Sequence, residues 1–122
     1  MKESSSVAFR FENLEVWQRS ADLSSKLFLI AAGLEEKKQF RWAEQLRAAG
    51  LSITNNIAEG SGSFSKAEFA QFLNFARRSA FETANILILL AREHPLTIPH
   101  EPLLNELDEI SRMITAFRKT LL

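Results

Sequence analysis

The stretch SITNNIAEGSGSFSKAEF, Ser52–Phe69, decides the fold. Its first half continues one helical run and its last residues open another, so the chain must turn between them. A Gly-Ser-Gly-Ser tract, Gly60–Ser63, fills the gap. Such a tract ahead of Lys66 invites comparison with a phosphate loop, but that loop ends in Gly-Lys-Ser/Thr and follows a buried strand. Here a helix precedes it. Ser65 is placed as an N-cap with Glu68 three residues on, the spacing of a capping box, and Phe64 and Phe69 are spaced for a hydrophobic staple. Gly60 is placed to end the preceding helix in the left-handed conformation. The stretch therefore reads as a structural corner between two helices.

Outward from the corner, apolar residues recur at three- and four-residue steps. Before it, Ala43, Leu46, Gly50, Ile53 and Ile57 form one stripe. After it, Phe69, Phe72, Ala76, Ser79, Thr83, Ile86 and Leu90 form another, closed by Pro95 and Pro99. Further out, Leu14, Trp17, Ala21, Ser24, Phe28 and Ala31 mark a first helix, with a second stripe of Val16, Leu23, Leu27, Ile30 and Leu34 beside it. Asn13 is its candidate N-cap, and Gly33 with the charged Glu35–Lys38 marks its end. Leu103, Leu107, Ile110, Ile114, Phe117 and Leu121 make the last seam. No segment alternates with period two. The expectation is a polar, partly disordered arm over 1–12 and one all-α domain over 13–122. That domain is an antiparallel up-down four-helix bundle with helices near 13–34, 40–59, 65–94 and 101–121.

Composition narrows the function. Lys+Arg and Asp+Glu both total 15 in 122 residues, so the formal charge is zero, which counts against a strongly basic nucleic-acid binder. There is no cysteine, which removes thiol catalysis, disulfides and Cys-ligated zinc. His94 and His100 are the only imidazoles, and neither follows a carboxylate by three residues as a di-iron bundle requires. No nucleophile–base–orienter set stands out. No metal, cofactor, small-molecule substrate or catalytic residue is expected. Ser52, Ser79 and Ser111 read as small helix-packing residues. The N-terminus lacks the apolar core of a signal peptide, and Ile86–Ala91 is far too short to span a bilayer. The expected location is the cytoplasm, with no membrane partner.

Asn55 and Asn56 are poor mid-helix residues, because their amides compete for backbone hydrogen bonds. Asn56 lies one step from the Ile53/Ile57 stripe and, if buried, needs partners. Glu59, three residues on, either faces the same way or ends the helix in water. Asn55 is expected to be solvated.

Three motifs carry a family resemblance. QLRAAGLSITNNIAEGSG (Gln45–Gly62), FENLEVWQRSADL (Phe11–Leu23) and KAEFAQFLNFARRSAFE (Lys66–Glu82) are similar, in order and spacing, to the 23S rRNA intervening-sequence proteins. These bacterial proteins are also labelled four-helix bundle or S23 ribosomal proteins. Asn56, Glu59, Gly60, Ser65, Glu68, Ser79 and Glu82 belong to the structural motifs. The resemblance implies an up-down four-helix bundle, a homopentameric ring and no enzymatic activity. A relative, the accessory variability determinant of diversity-generating retroelements, binds a reverse transcriptase and nucleic acid through a basic surface. Against the family pattern, Ala48 replaces a basic residue, Gly50 an alanine and Thr54 a proline, and Arg78 stands where glycine is common.

Two candidate surfaces follow. Arg41, Arg47, Lys66, Arg77 and Arg78 flank the corner and the third helix and are the candidate nucleic-acid contacts. AFETANILILLA (Ala80–Ala91) is apolar nearly all round, more than one side of a lone bundle needs. Phe81, Asn85, Ile88 and Leu89 are the candidate subunit contacts. Most of the ten phenylalanines are expected in the core. The reading is a non-enzymatic homo-oligomeric scaffold, a pentamer by resemblance, for an RNA, DNA or ribonucleoprotein partner. The alternative is a protein-assembly module that touches no nucleic acid.

Overall fold

A computed structural model of the chain describes residues 7–122. The arm expected over 1–12 lies outside the described residues as far as residue 6. From Arg10 the chain is regular: Arg10–Asn13 form a turn of 3-10 helix. The Glu12 carboxylate accepts the Phe9 N–H at 2.8 Å and holds the start of that turn. Four α-helices follow: α1 (Glu15–Glu36), α2 (Phe40–Ser61), α3 (Lys66–Glu93) and α4 (Glu101–Thr120). No strand occurs among the described residues. Asn13 closes the 3-10 turn, and the residue that caps α1 is Leu14, in extended backbone and with no side-chain hydrogen bond. The N-cap placed at Asn13 is one residue early, because the preceding turn uses Asn13.

Each helix packs on its chain neighbours, α4 returns to α1, and the diagonal pairs stay apart. With connections as short as residues 37–39 and 62–65, successive helices are antiparallel. The result is an up-down four-helix bundle around one aliphatic core. Leu23, Leu27 and Ile30 of α1, Leu46, Ile53 and Ile57 of α2, Leu73, Leu87 and Leu90 of α3, and Ile110 and Ile114 of α4 are fully buried. Burying each such side chain stabilises the fold by roughly 1.5–3 kcal/mol. On α1 the second stripe supplies most of the buried residues, joined by Ser24 and Ala31 of the first. Val16, Leu23, Leu27, Ile30 and Leu34 are the core face, whereas Phe28 of the first stripe is exposed.

None of the ten phenylalanines is buried, which reverses the expectation for them. The reason is spacing between helices. Alanines and glycines line the seams (Ala43, Ala49 and Gly50 on α2, Ala76 and Ala80 on α3), and the helices approach too closely to hold a ring between them. The rings are displaced to the rims. Phe69 meets Phe117 edge-on at 5.2 Å, and Phe11 lies 5.1 Å from Trp17.

The glycines follow the same logic. Gly60 does not end α2 in the left-handed region; no glycine has positive φ, and α2 runs on to Ser61. Gly60 is buried where α3 crosses α2: a methyl group there would stand 2.7 Å from the Phe72 Cβ and 2.8 Å from the Phe69 ring. Gly50 does the same for α1, with Leu27 Cδ1 2.6 Å from where its Cβ would be. Gly33 does not stop α1, which runs on to Glu36 and ends in a Schellman motif. The Gln39 N–H donates to the Leu34 carbonyl at 2.8 Å, and Lys38 takes the left-handed position at φ 62°.

Candidate functional site

The corner is built from its residues as a cap. The Ser65 hydroxyl accepts the Glu68 N–H at 3.1 Å and satisfies one orphan donor of α3. The staple is absent: Phe64 is fully exposed, while Phe69 turns inward to Phe117. Arg10 ties the 3-10 turn to the corner by donating to the Ser61 carbonyl, where the negative end of the α2 dipole favours a cation.

Asn56 is half-buried in the α2–α3 seam and finds its partners inside its own subunit. Its Nδ2 donates to the Ser52 carbonyl at 2.8 Å and to the Ser52 hydroxyl at 3.1 Å. The Ser52 and Ser79 hydroxyls share a hydrogen bond of 2.8 Å across the seam. Thr83 donates to the Ser79 carbonyl at 2.8 Å. Ser52 and Ser79 are therefore more than small packing residues. Asn55 and Glu59 are exposed. Glu82 leaves the ladder for an open groove of about 860 Å³ between α2 and α3, facing Arg41, Glu44 and Gln45.

The five candidate cations do not form one patch. Arg47 forks onto Glu35 of α1, at 2.8 and 2.9 Å. That hydrogen-bonded pairing holds the Glu35 carboxyl below its ordinary range and raises the Arg47 guanidinium. Arg41 lies near the start of α2, at the opposite end of the bundle from the corner. Lys66 lines a recess at the corner with Arg10, Phe69 and Phe117. Arg78 is exposed. Arg77 sits over the Phe81 ring, its guanidinium carbon 4.9 Å from the centroid. A candidate nucleic-acid contact and a candidate subunit contact are thus one structural unit.

The outer ridge of α3 carries Phe81, Asn85, Ile88 and Leu89, all exposed; Phe81, Ile88 and Leu89 show 58%, 45% and 40% of their surface. The core closes without them.

Sequence reasoning missed Arg19. Its guanidinium bridges α1 to α4, donating to both oxygens of Glu106 at 2.6 and 2.9 Å and to Glu109 at 2.9 Å. These hydrogen bonds raise the Arg19 pKa, and the Arg19 bond is the main cause of a depressed Glu106. The signal was the Glu106/Glu109 pair, three apart on one helix face. Among the described residues no group of three His, Asp or Glu side chains is arranged to hold a metal, and no helix is long and apolar enough to cross a membrane.

The chain is similar to known proteins over most of its length. Residues 12–116 match the family model described as 23S rRNA-intervening sequence protein. A solved structure from Bacteroides thetaiotaomicron VPI-5482, a protein with unknown function from the S23 ribosomal protein family, superposes with a TM-score of 0.78 at 30% identity. The alignment covers 85% of this chain and 98% of that one. No curated protein matches the chain.

Proposed function

The chain belongs to the 23S rRNA-intervening sequence protein family, and from that premise we propose a non-enzymatic, self-assembling scaffold of the cytoplasm that binds RNA, DNA or a ribonucleoprotein. The observation that carries the assembly is the outer ridge of α3. A subunit whose core is complete still exposes Ile88 and Leu89 side by side on the part of α3 beyond the Arg77–Phe81 pair. Apolar surface gathered in this way marks an interaction face rather than scattered exposure. A closed ring covers the same face on every subunit and leaves no open end. Five subunits is the number that the family resemblance supplies.

The nucleic-acid part rests on charge segregation. Arg10, Arg19, Lys66, Arg77, Arg78, Arg112, Arg118 and Lys119 lie in the corner half of the bundle with Glu12, Glu15, Asp22, Glu59 and Glu68, a surplus of cations that the remote half balances with anions. A neutral chain sorted in this way presents a locally positive end. A second reading, a protein-assembly module without nucleic-acid contact, is favoured by Arg47, which Glu35 already occupies.

Light scattering coupled to size exclusion tests the assembly. The expected mass is a multiple of the subunit, and Ile88→Glu is expected to release folded subunits. A monomeric wild type overturns the scaffold. Filter binding at low salt tests the partner class; no retention of RNA or DNA leaves the assembly module as the function.

A further inference from the structure

We propose that the groove between α3 and α4 is a site for single-stranded nucleic acid, held by its phosphates on Arg77, Arg112 and Lys119 and by a base stacked on Phe81. This rests on the nucleic-acid reading above and gives it a place and a strand preference. The groove measures about 450 Å³ and takes Arg77 and Phe81 from α3 and Arg112, Thr115 and Lys119 from α4. Its one carboxylate is Asp108, which pairs with Arg112 at 3.0 Å on the surface. Three cations against one anion leave a local excess on a chain of zero net charge.

Two of the three cations have no anionic partner among the described residues, and Arg112 meets Asp108 through Nε alone. Arg77 is half-buried, and no N–H of its guanidinium meets an acceptor among the described residues; the Phe81 ring alone holds that group. Lys119 has no ion pair among them. The Thr115 hydroxyl donates back to the Ser111 carbonyl at 3.0 Å, so its proton is turned away from the groove and the cations must supply the contacts. Arg112 and Lys119 lie two turns apart, about 10 Å along α4. That is a row of charges, suited to a chain of phosphates more than to one phosphate. A duplex is read by an element that enters its groove, whereas here the cations sit in a recess that a single strand can enter. Phe81, more than half exposed and backed by a guanidinium, adds the aromatic platform on which single strands stack.

The test is fluorescence anisotropy of labelled oligo-dT across a salt series. Arg77→Gln and Lys119→Gln are expected to weaken binding severalfold and each to lower the salt slope by about 0.7, the single-strand value per phosphate. Phe81→Leu is expected to weaken binding about tenfold with the slope unchanged, because stacking releases no counterions. Lys37→Gln, at the other end of the bundle, is expected to bind as wild type. A duplex that binds as tightly as the single strand, or Arg77 and Lys119 variants that bind normally, overturns this site while leaving nucleic-acid binding intact. Displacement of the strand by equimolar thymidine monophosphate assigns the groove to free nucleotides and also overturns it. Absence of binding to any nucleic acid overturns both this inference and the reading beneath it.

Discussion

Gly60 and Phe72 meet backbone to side chain: a Cβ on Gly60 would lie 2.7 Å from the Phe72 Cβ. That contact sets how closely α3 crosses α2. Neither atom belongs to the free end of a flexible chain, so an added methyl group must move a helix. Helix propensity favours alanine over glycine by about 1 kcal/mol, but overpacking typically costs 1–3 kcal/mol. Gly60→Ala is therefore expected to destabilise, read as a lower urea midpoint. Gly62→Ala, whose Cβ would meet only the Glu59 carbonyl at 3.4 Å, is the matched control and is expected to change little. A Gly60→Ala variant as stable as wild type would show that the crossing is loose.

At the corner, Ser65→Ala removes the acceptor of the Glu68 N–H. The expected loss is about 1 kcal/mol, the usual value for an N-cap. Phe64→Ala is expected to leave stability unchanged, since that ring touches no staple partner and is fully exposed. Chemical denaturation of the two variants separates the contributions; a large loss from Phe64→Ala would mean that the ring packs in solution.

Lys38 holds the left-handed position of the Schellman motif at φ 62°. A side chain there costs roughly 1 kcal/mol or more, a strain that glycine lacks. Lys38→Gly is expected to raise the thermal midpoint, with part of the gain offset by the looser unfolded chain. Lys37→Gly, at φ −96° and with loss of the Lys37 bond to the Pro95 carbonyl, is expected to lower it.

The Arg19–Glu106 clasp gives the bundle an acid dependence. Glu106 has its pKa depressed below the ordinary 4.5, chiefly by its hydrogen bond to Arg19. The unfolded chain therefore takes up this proton first as pH falls. The clasp's contribution is full above the ordinary value and is lost as pH drops through the lower folded value; Arg19 remains charged throughout. Urea midpoints of wild type and Glu106→Gln are expected to differ by a constant amount at neutral pH and to converge in acid. A difference that persists undiminished in acid would assign the effect to packing.

The helical class and the family were legible because they rest on short-range regularities. The Ile53/Ile57 and Ile110/Ile114 spacings state a buried face without reference to other helices, and the Asn56–Gly60 block is specific. Ile88 and Leu89 stood out as surplus apolar surface on the same grounds. The phenylalanines misled because helix periodicity gives a side chain's direction but not the distance to the facing helix. That distance depends on Gly50, Gly60 and the alanines opposite. The ion pairs of Arg47 and Arg19 were out of reach of the sequence for a related reason. A cation's availability depends on whether a carboxylate of another helix lies across from it, as Glu35 and Glu106 do. The register that brings them together is a property of the whole bundle. The same holds for the pairing of Arg77 with Phe81. Four apart on one helix they were legible as neighbours, yet the α4 cations beside them were not.

The seam between α1 and α4 is the thinnest of the four. The other three join helices that follow one another along the chain, so their loops are short and their closure entropy is small. Only α1 with α4 demands that the two ends of the domain meet. Folding along this topology zips from the corner outward through local hairpins, which makes for rapid formation. The expected last event is the arrival of Arg19 at Glu106, more than eighty residues away in sequence. The same seam is the first to part in the native state, so amide exchange along the α1–α4 edge reports partial opening while the α2–α3 hairpin stays protected.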